Sequence, residues 1–246
     1  MATSNDRGPL MVGMLFLAAA LVIAAFIAAS AIRYVKSAND TITVTGSARR
    51  PIRSDFVVWR GHVSAQRQDL QEAYREVTRY SDRVRRFFAE NQVPDSALTF
   101  RPLQTESIPE FTSEGRPTGR IAAYVLRQTF EIRSPRVDEI TSLSNRAAGL
   151  IQEGIVLESY PPEYLYTRLA ELRSEMLAEA AADAHRRAQS MAGSVGSEVG
   201  AVRSARMGVF QITARNSTDV SDYGIYDTMS LEKDITAVVS VTFAVK

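Results

Sequence analysis

The stretch DFVVWRGHVSAQRQDLQEAYREVTRYSDRVRRFFAENQ, residues 55–92, changes its hydrophobic period in the middle. From Asp55 to Ala65 apolar and polar residues alternate. Val57, Trp59, Val63 and Ala65 share one face, and Arg60, His62 and Ser64 share the other. A period of two predicts a strand buried on one side. From Gln68 to Glu90 the apolar positions are Leu70, Ala73, Tyr74, Val77, Ser81, Val84 and Phe88. Their three- and four-residue spacing predicts one helix with a single buried stripe. Glu72, Arg75, Arg79, Arg83 and Arg86 fall on the opposite face, and the Pro-containing turn Asn91–Asp95 ends the helix. A half-buried strand followed at once by an amphipathic helix predicts a sheet with helices on its buried face.

The flanking sequence extends this plan. Thr41–Gly46 (TITVTG) reads as a short strand ended by Gly46. Leu98–Ser107, interrupted at Pro102, and Ile121–Ile132 flank the polar turn Phe111–Gly119 and read as a long hairpin. Ser134-Pro135 reads as a helix start, since a hydroxyl caps and Pro at the first position loses no needed hydrogen bond. Val137, Ile140, Leu143, Ala147 and Leu150 then mark a second helix that stops near Gly154. Gly154–Tyr160 reads as a strand, and Pro161-Pro162 as its break and the opening of a third, Ala-rich helix to about Met191. Gly193, Gly196 and Gly200 follow as its cap, then a strand over Val199–Arg206 and the strongest strand, Ile235–Val245. The expected class is α+β: a largely antiparallel sheet with helices packed on one side.

The N-terminal part differs. Residues 10–32, LMVGMLFLAAALVIAAFIAASAI, carry no charge over 23 positions. As a helix this run spans about 34 Å, against a hydrocarbon core of about 30 Å. Two readings compete: a retained transmembrane anchor, and a signal peptide cleaved at Ala29-Ser30-Ala31. The length of the run favours the anchor. The expected organisation is a tail over 1–9, an anchor over 10–32 contacting the lipid bilayer, a linker over 33–40 and one folded domain over 41–246. Arg33, Lys36, Arg49, Arg50 and Arg53 against Asp40 suggest an arm on anionic headgroups or an ordinary solvated linker. Arg33 and Lys36 follow the span and Arg7 precedes it, so local charge weakly favours a cytoplasmic C-terminal side.

Composition excludes several functions. Lys plus Arg is 29 and Asp plus Glu is 28, so there is no basic excess of the kind a nucleic-acid binder carries. With no cysteine there is no disulfide, thiol nucleophile or Cys-bound zinc. The two histidines, His62 and His185, form no HExxH pair. Gly193-Ser194-Val195-Gly196 follows a helix, whereas a nucleophile elbow or a phosphate loop precedes one. No catalytic residue, metal ligand or cofactor is expected. The arginine row on the first helix and the row Glu171, Glu175, Glu179 and Asp183 on the third read as solvated faces with local ion pairs, such as Asp82 with Arg86 and Asp183 with Arg186 or Arg187.

Residues 207–233, MGVFQITARNSTDVSDYGIYDTMSLEK, set large apolar residues among turn formers. A structureless loop of this length is uncommon. Either short strands lie within it, or its apolar residues bury against another subunit. Phe210, Ile212, Tyr223 and Tyr226 are the expected anchors of a homo-oligomeric interface.

Four stretches together resemble the SIMPL-domain family: ITVTGSA at 42–48, DLQEAYREVTRYSDRVRRFFAENQVPDSAL at 69–98, AEAAADAHRRAQSMAGSVGSEVGAV at 178–202, and the terminal ITAVVSVTFAV. Arg49-Arg50-Pro51 stands where the family usually has a Gly/Glu-rich segment. The resemblance implies a bacterial envelope protein with an exported α+β domain; together with the uncharged span over 10–32, the expectation is a single pass through the inner membrane with that domain in the periplasm. It also implies ring- or barrel-like homo-oligomers and no established enzyme activity. The alternative is an envelope hydrolase or small-ligand binder with a pocket between helix and sheet, built for example around Arg60, His62 and Glu131.

Overall fold

The computed structural model describes residue 14, residues 16–29 and residues 40–246. The described part of the expected anchor, residue 14 and residues 16–29, is helical (α1), and its side chains are exposed. Residues 10–13, 15 and 30–32 of that span, and 33–39 of the linker, lie outside the described residues. Among the described residues no helix is long and apolar enough to cross a membrane.

The chain divides into two compact units. The larger comprises Arg49–Met176 and Val209–Thr236. Its main sheet has six antiparallel strands: β2 (Phe56–Arg67), β3 (Leu98–Phe100), β4 (Gln104–Phe111), β5 (Pro117–Ser134), β6 (Leu157–Ser159) and β7 (Glu163–Leu165). β5 pairs β2 over eleven positions, from Val57↔Ser134 to Arg67↔Tyr124. Helices α2 (Leu70–Glu90) and α3 (Val137–Arg146) pack on one face, followed by the short α4 (Gly149–Gln152). Asp69 caps α2 by accepting from the Glu72 N–H at 2.9 Å. Ala73, Val77, Tyr80, Ser81, Val84 and Phe88 of α2 are buried, and Leu70 and Tyr74 are not. The core centres on Trp59, Phe88 and Phe130, which meet edge to face at centroid distances of 5.0–5.7 Å.

Among the described residues, the smaller unit comprises residue 14, residues 16–29 and 40–48, Leu177–Gly208 and Ala237–Lys246. It holds the first part of β1 (Thr41–Arg53), most of α5 (Leu169–Ser194), β8 (Val199–Met207) and most of β11 (Glu232–Val245). β8 pairs β11 antiparallel. Ala180, Ala184, Ala188 and Ala192 form the buried stripe of α5, and Gly46 lies against it. A Cβ at Gly46 would stand 2.2 Å from the Ala180 carbonyl oxygen and 2.3 Å from the Ala184 nitrogen.

Four expectations are corrected. Gly46 does not end β1, which runs on to Arg53. The glycine is there for close approach of α5, and Pro51 is tolerated because β1 is an outermost strand. Arg49, Arg50 and Arg53 belong to neither a headgroup arm nor a linker: they lie in β1 and pair within the larger unit with Asp234, Glu175 and Asp138. Pro161-Pro162 opens β7 rather than a helix, and α5 begins at Leu169. At Ser134-Pro135 the Ser134 hydroxyl accepts from Arg136 N, and α3 starts only at Val137.

Residues 207–233 do contain short strands. β9 (Gln211–Ala214) pairs β11 antiparallel, and β10 (Ile225–Tyr226) pairs β9 parallel.

Candidate functional site

Alternation along β2 and β5 sends Trp59, Phe130 and Ile132 into the core and leaves Arg60, His62 and Glu131 on the opposite face of the six-stranded sheet. The register sets Arg60 directly across from Glu131, and His62 across from Thr129. Arg60 Nε donates to Glu131 at 2.8 Å, and its second nitrogen donates to Glu163 at 2.7 Å. Arg101 and Arg133 reach the same carboxylate at 3.1 and 3.3 Å. Glu131 is thereby covered to 7% exposure. The Arg60 hydrogen bond holds its pKa below the ordinary carboxylate value, against the opposing effect of burial. The same bond raises Arg60.

His62 lies beside this network, not in it. Its Nε2 is 3.4 Å from Glu158, and its Nδ1 is 3.4 Å from the Tyr160 hydroxyl. The hydrogen bond to Glu158 raises the Tyr160 phenol. Val58, Arg60, Tyr160, Pro161, Glu163, Thr228 and Met229 line an adjoining cleft of 300 Å³. Arg60 and Glu131 thus converge on each other. A carboxylate held ionised by three guanidinium groups is a weak proton acceptor, so Glu131 is suited to fixing the sheet face rather than to general-base chemistry. Among the described residues no group of three or more His, Asp or Glu side chains could hold a metal ion.

The four expected interface residues occupy unlike places. Ile212 is 2% exposed, paired opposite Ile235 in the chain's own sheet. The Phe210 ring is partly covered, with the Arg173 guanidinium 5.5 Å from its centroid. Tyr226 is 45% exposed and Tyr223 is 97% exposed. Expected local pairs of Asp183 with Arg186 and Arg187 are present, and Asp183 also accepts from the Ser47 backbone N–H.

Lys233 belongs to no motif in the sequence. It is fully buried, and its ammonium donates to the Tyr164 carbonyl at 2.6 Å and to the Asp227 carbonyl. It ties the loop before β11 to β7, next to the Thr228 carbonyl that accepts from Tyr164 N. The available signal was its phase: Lys233 is two residues before Ile235, on the inward face of β11.

Burial lowers the Lys233 pKa from its ordinary 10.5. Between that lowered value and 10.5 the unfolded chain binds more protons, so this group makes stability rise with pH there. Below the lowered value its destabilising contribution is complete. Lys233→Met is expected to abolish this rise while lowering stability overall, because two carbonyls lose their donor. Urea midpoints of both proteins across the alkaline range check this. Parallel pH curves would refute it.

No curated protein matches the chain. The family model of SIMPL, a protein of unknown function (DUF541), matches residues 42–243, which run from β1 into β11 and take in α2 to α5. The chain therefore belongs to the SIMPL family.

Proposed function

We propose that this protein is a non-catalytic component of the bacterial envelope. Residues 10–32 anchor it in the inner membrane, and the SIMPL domain lies in the periplasm and self-assembles into a ring- or barrel-like homo-oligomer. The observation that carries the assembly is the exposure of large apolar side chains in one short segment. Val220 is 80% exposed, Tyr223 97%, Met229 58% and Tyr226 45%. They are surplus to the chain's own core, which is supplied by α2, α3, α5 and the sheets. Single soluble domains seldom leave such side chains clustered in water, and aromatics at the centre of an interface carry much of its energy. Anchoring is supported by the uncharged run over 10–32.

Val220→Ser combined with Tyr223→Ser tests the interface. Both side chains are too exposed to serve the subunit's own core, so the far-ultraviolet circular dichroism should stay as in wild type. The particle mass of the detergent-solubilised protein should fall, with about 2 kcal/mol or more lost per interface. A variant that keeps the wild-type mass would remove this segment from the interface.

A further inference from the structure

A second feature of the larger unit is a groove at the N-terminal end of α2. β4 and the first six residues of β5 are mostly exposed, so this hairpin is largely uncovered. Leu126, 1% exposed and paired opposite Thr105, forms its floor. Leu70, Tyr74 and Leu103 form its walls, and Gln71, Arg75 and Thr105 supply the polar groups. Its volume is 470 Å³, inside the roughly 300–1,000 Å³ range of small-molecule sites and toward its lower end. Leu70 and Tyr74 continue the buried stripe of α2 yet are 42% and 54% exposed.

The electrostatics of the groove are one-sided. The neighbouring arginines of α2 are engaged: Arg79 with Glu76, Arg83 with Glu153, and Arg85 over the Phe100 ring. Arg75 has no carboxylate or aromatic partner among the described residues, and it stands at the groove. Glu76 is taken by Arg67, and Asp69 by the helix cap, so neither neutralises it. Glu72, one turn earlier on the helix, makes no ion pair with Arg75.

We propose that this groove binds a monomeric fatty acid, its acyl chain lying along Leu70, Tyr74, Leu103 and Leu126 and its carboxylate paired with Arg75. An apolar trough with one unpaired guanidinium complements a molecule with one apolar tail and one anionic oxygen pair. The small volume suits a single chain rather than a two-chain lipid. This site is separate from the segment proposed for assembly and does not rest on that reading.

Photolabelling tests it on the full chain in nanodiscs. A diazirine-bearing palmitate should label peptides containing residues 70–75 and 103–105, with palmitate competing and palmityl alcohol competing poorly. Arg75→Glu should reduce that labelling about tenfold, the worth of one charge-assisted contact. Thr105→Trp, which fills the groove from an exposed strand position, should abolish it with the circular dichroism unchanged. Labelling confined to residues 10–32, equal competition by the alcohol, or indifference to both substitutions would overturn the proposal. Displacement by phosphatidylglycerol supplied in the nanodisc would assign the groove to membrane lipid instead and overturn the fatty-acid assignment.

Discussion

Phe130→Ala should cost the larger unit about 3–5 kcal/mol, the range for truncating a fully buried aromatic. Phe130 has no exposed surface and packs against Trp59, Phe88 and Phe100 with ring centroids 5.3, 5.0 and 6.4 Å away. It also fills the space over its cross-strand partner Gly61, where a Cβ would meet the Phe130 ring at 2.6 Å. Truncation thus removes three aromatic contacts and leaves a cavity that Gly61 cannot reach into. Typical domains are stable by only about 5–15 kcal/mol, so this loss takes a large share. Trp59, the single tryptophan, reports on the same cluster, and its emission should redden at a much lower urea concentration than in wild type. A midpoint shift equivalent to less than about 1 kcal/mol would show that the cluster is not the centre of the core.

Gly46→Val should act on the smaller unit with comparable force. The substituted Cβ would overlap the backbone of α5 at Ala180 and Ala184, and a helix backbone cannot rotate aside as a side chain can. β1 and α5 would have to separate, exposing the alanine stripe that packs only at close range. Overpacking costs about 1–3 kcal/mol where side chains can adjust, and this site is expected at or above the upper end. Thr45→Val on the exposed face of the same strand is the control and should be close to neutral. Hydrogen-exchange protection of residues 177–194 should collapse in Gly46→Val alone. Preserved protection there would contradict the close-approach role.

These two sites also show what the sequence made legible. The helix over 70–90 and the strand carrying Trp59 followed from period alone, because each buries one continuous face. At Gly46 a turn glycine and a close-approach glycine are the same letter, and what separates them is the alanine spacing on a helix over 130 residues later. β7 was missed because its partners are distant: β2, and the Thr228 carbonyl of a loop pinned by Lys233. Three residues cannot declare a strand locally when the pairing is supplied from elsewhere in the chain. At the site, sequence alternation put Arg60 and His62 on one face, but it could not say that Glu131, Glu163, Arg101 and Arg133 would build an ion-pair network with Arg60 alone. Likewise Ile212 and Tyr223 look alike in composition. Only strand pairing separates the buried one from the exposed one.

Self-assembly of the SIMPL domain is decided by the native mass of the detergent-solubilised full chain. The chain is 27.1 kDa, and a single discrete particle at a whole multiple of that mass, after correction for bound detergent, is expected to persist on dilution to micromolar protein. A particle of one chain at that concentration would contradict it.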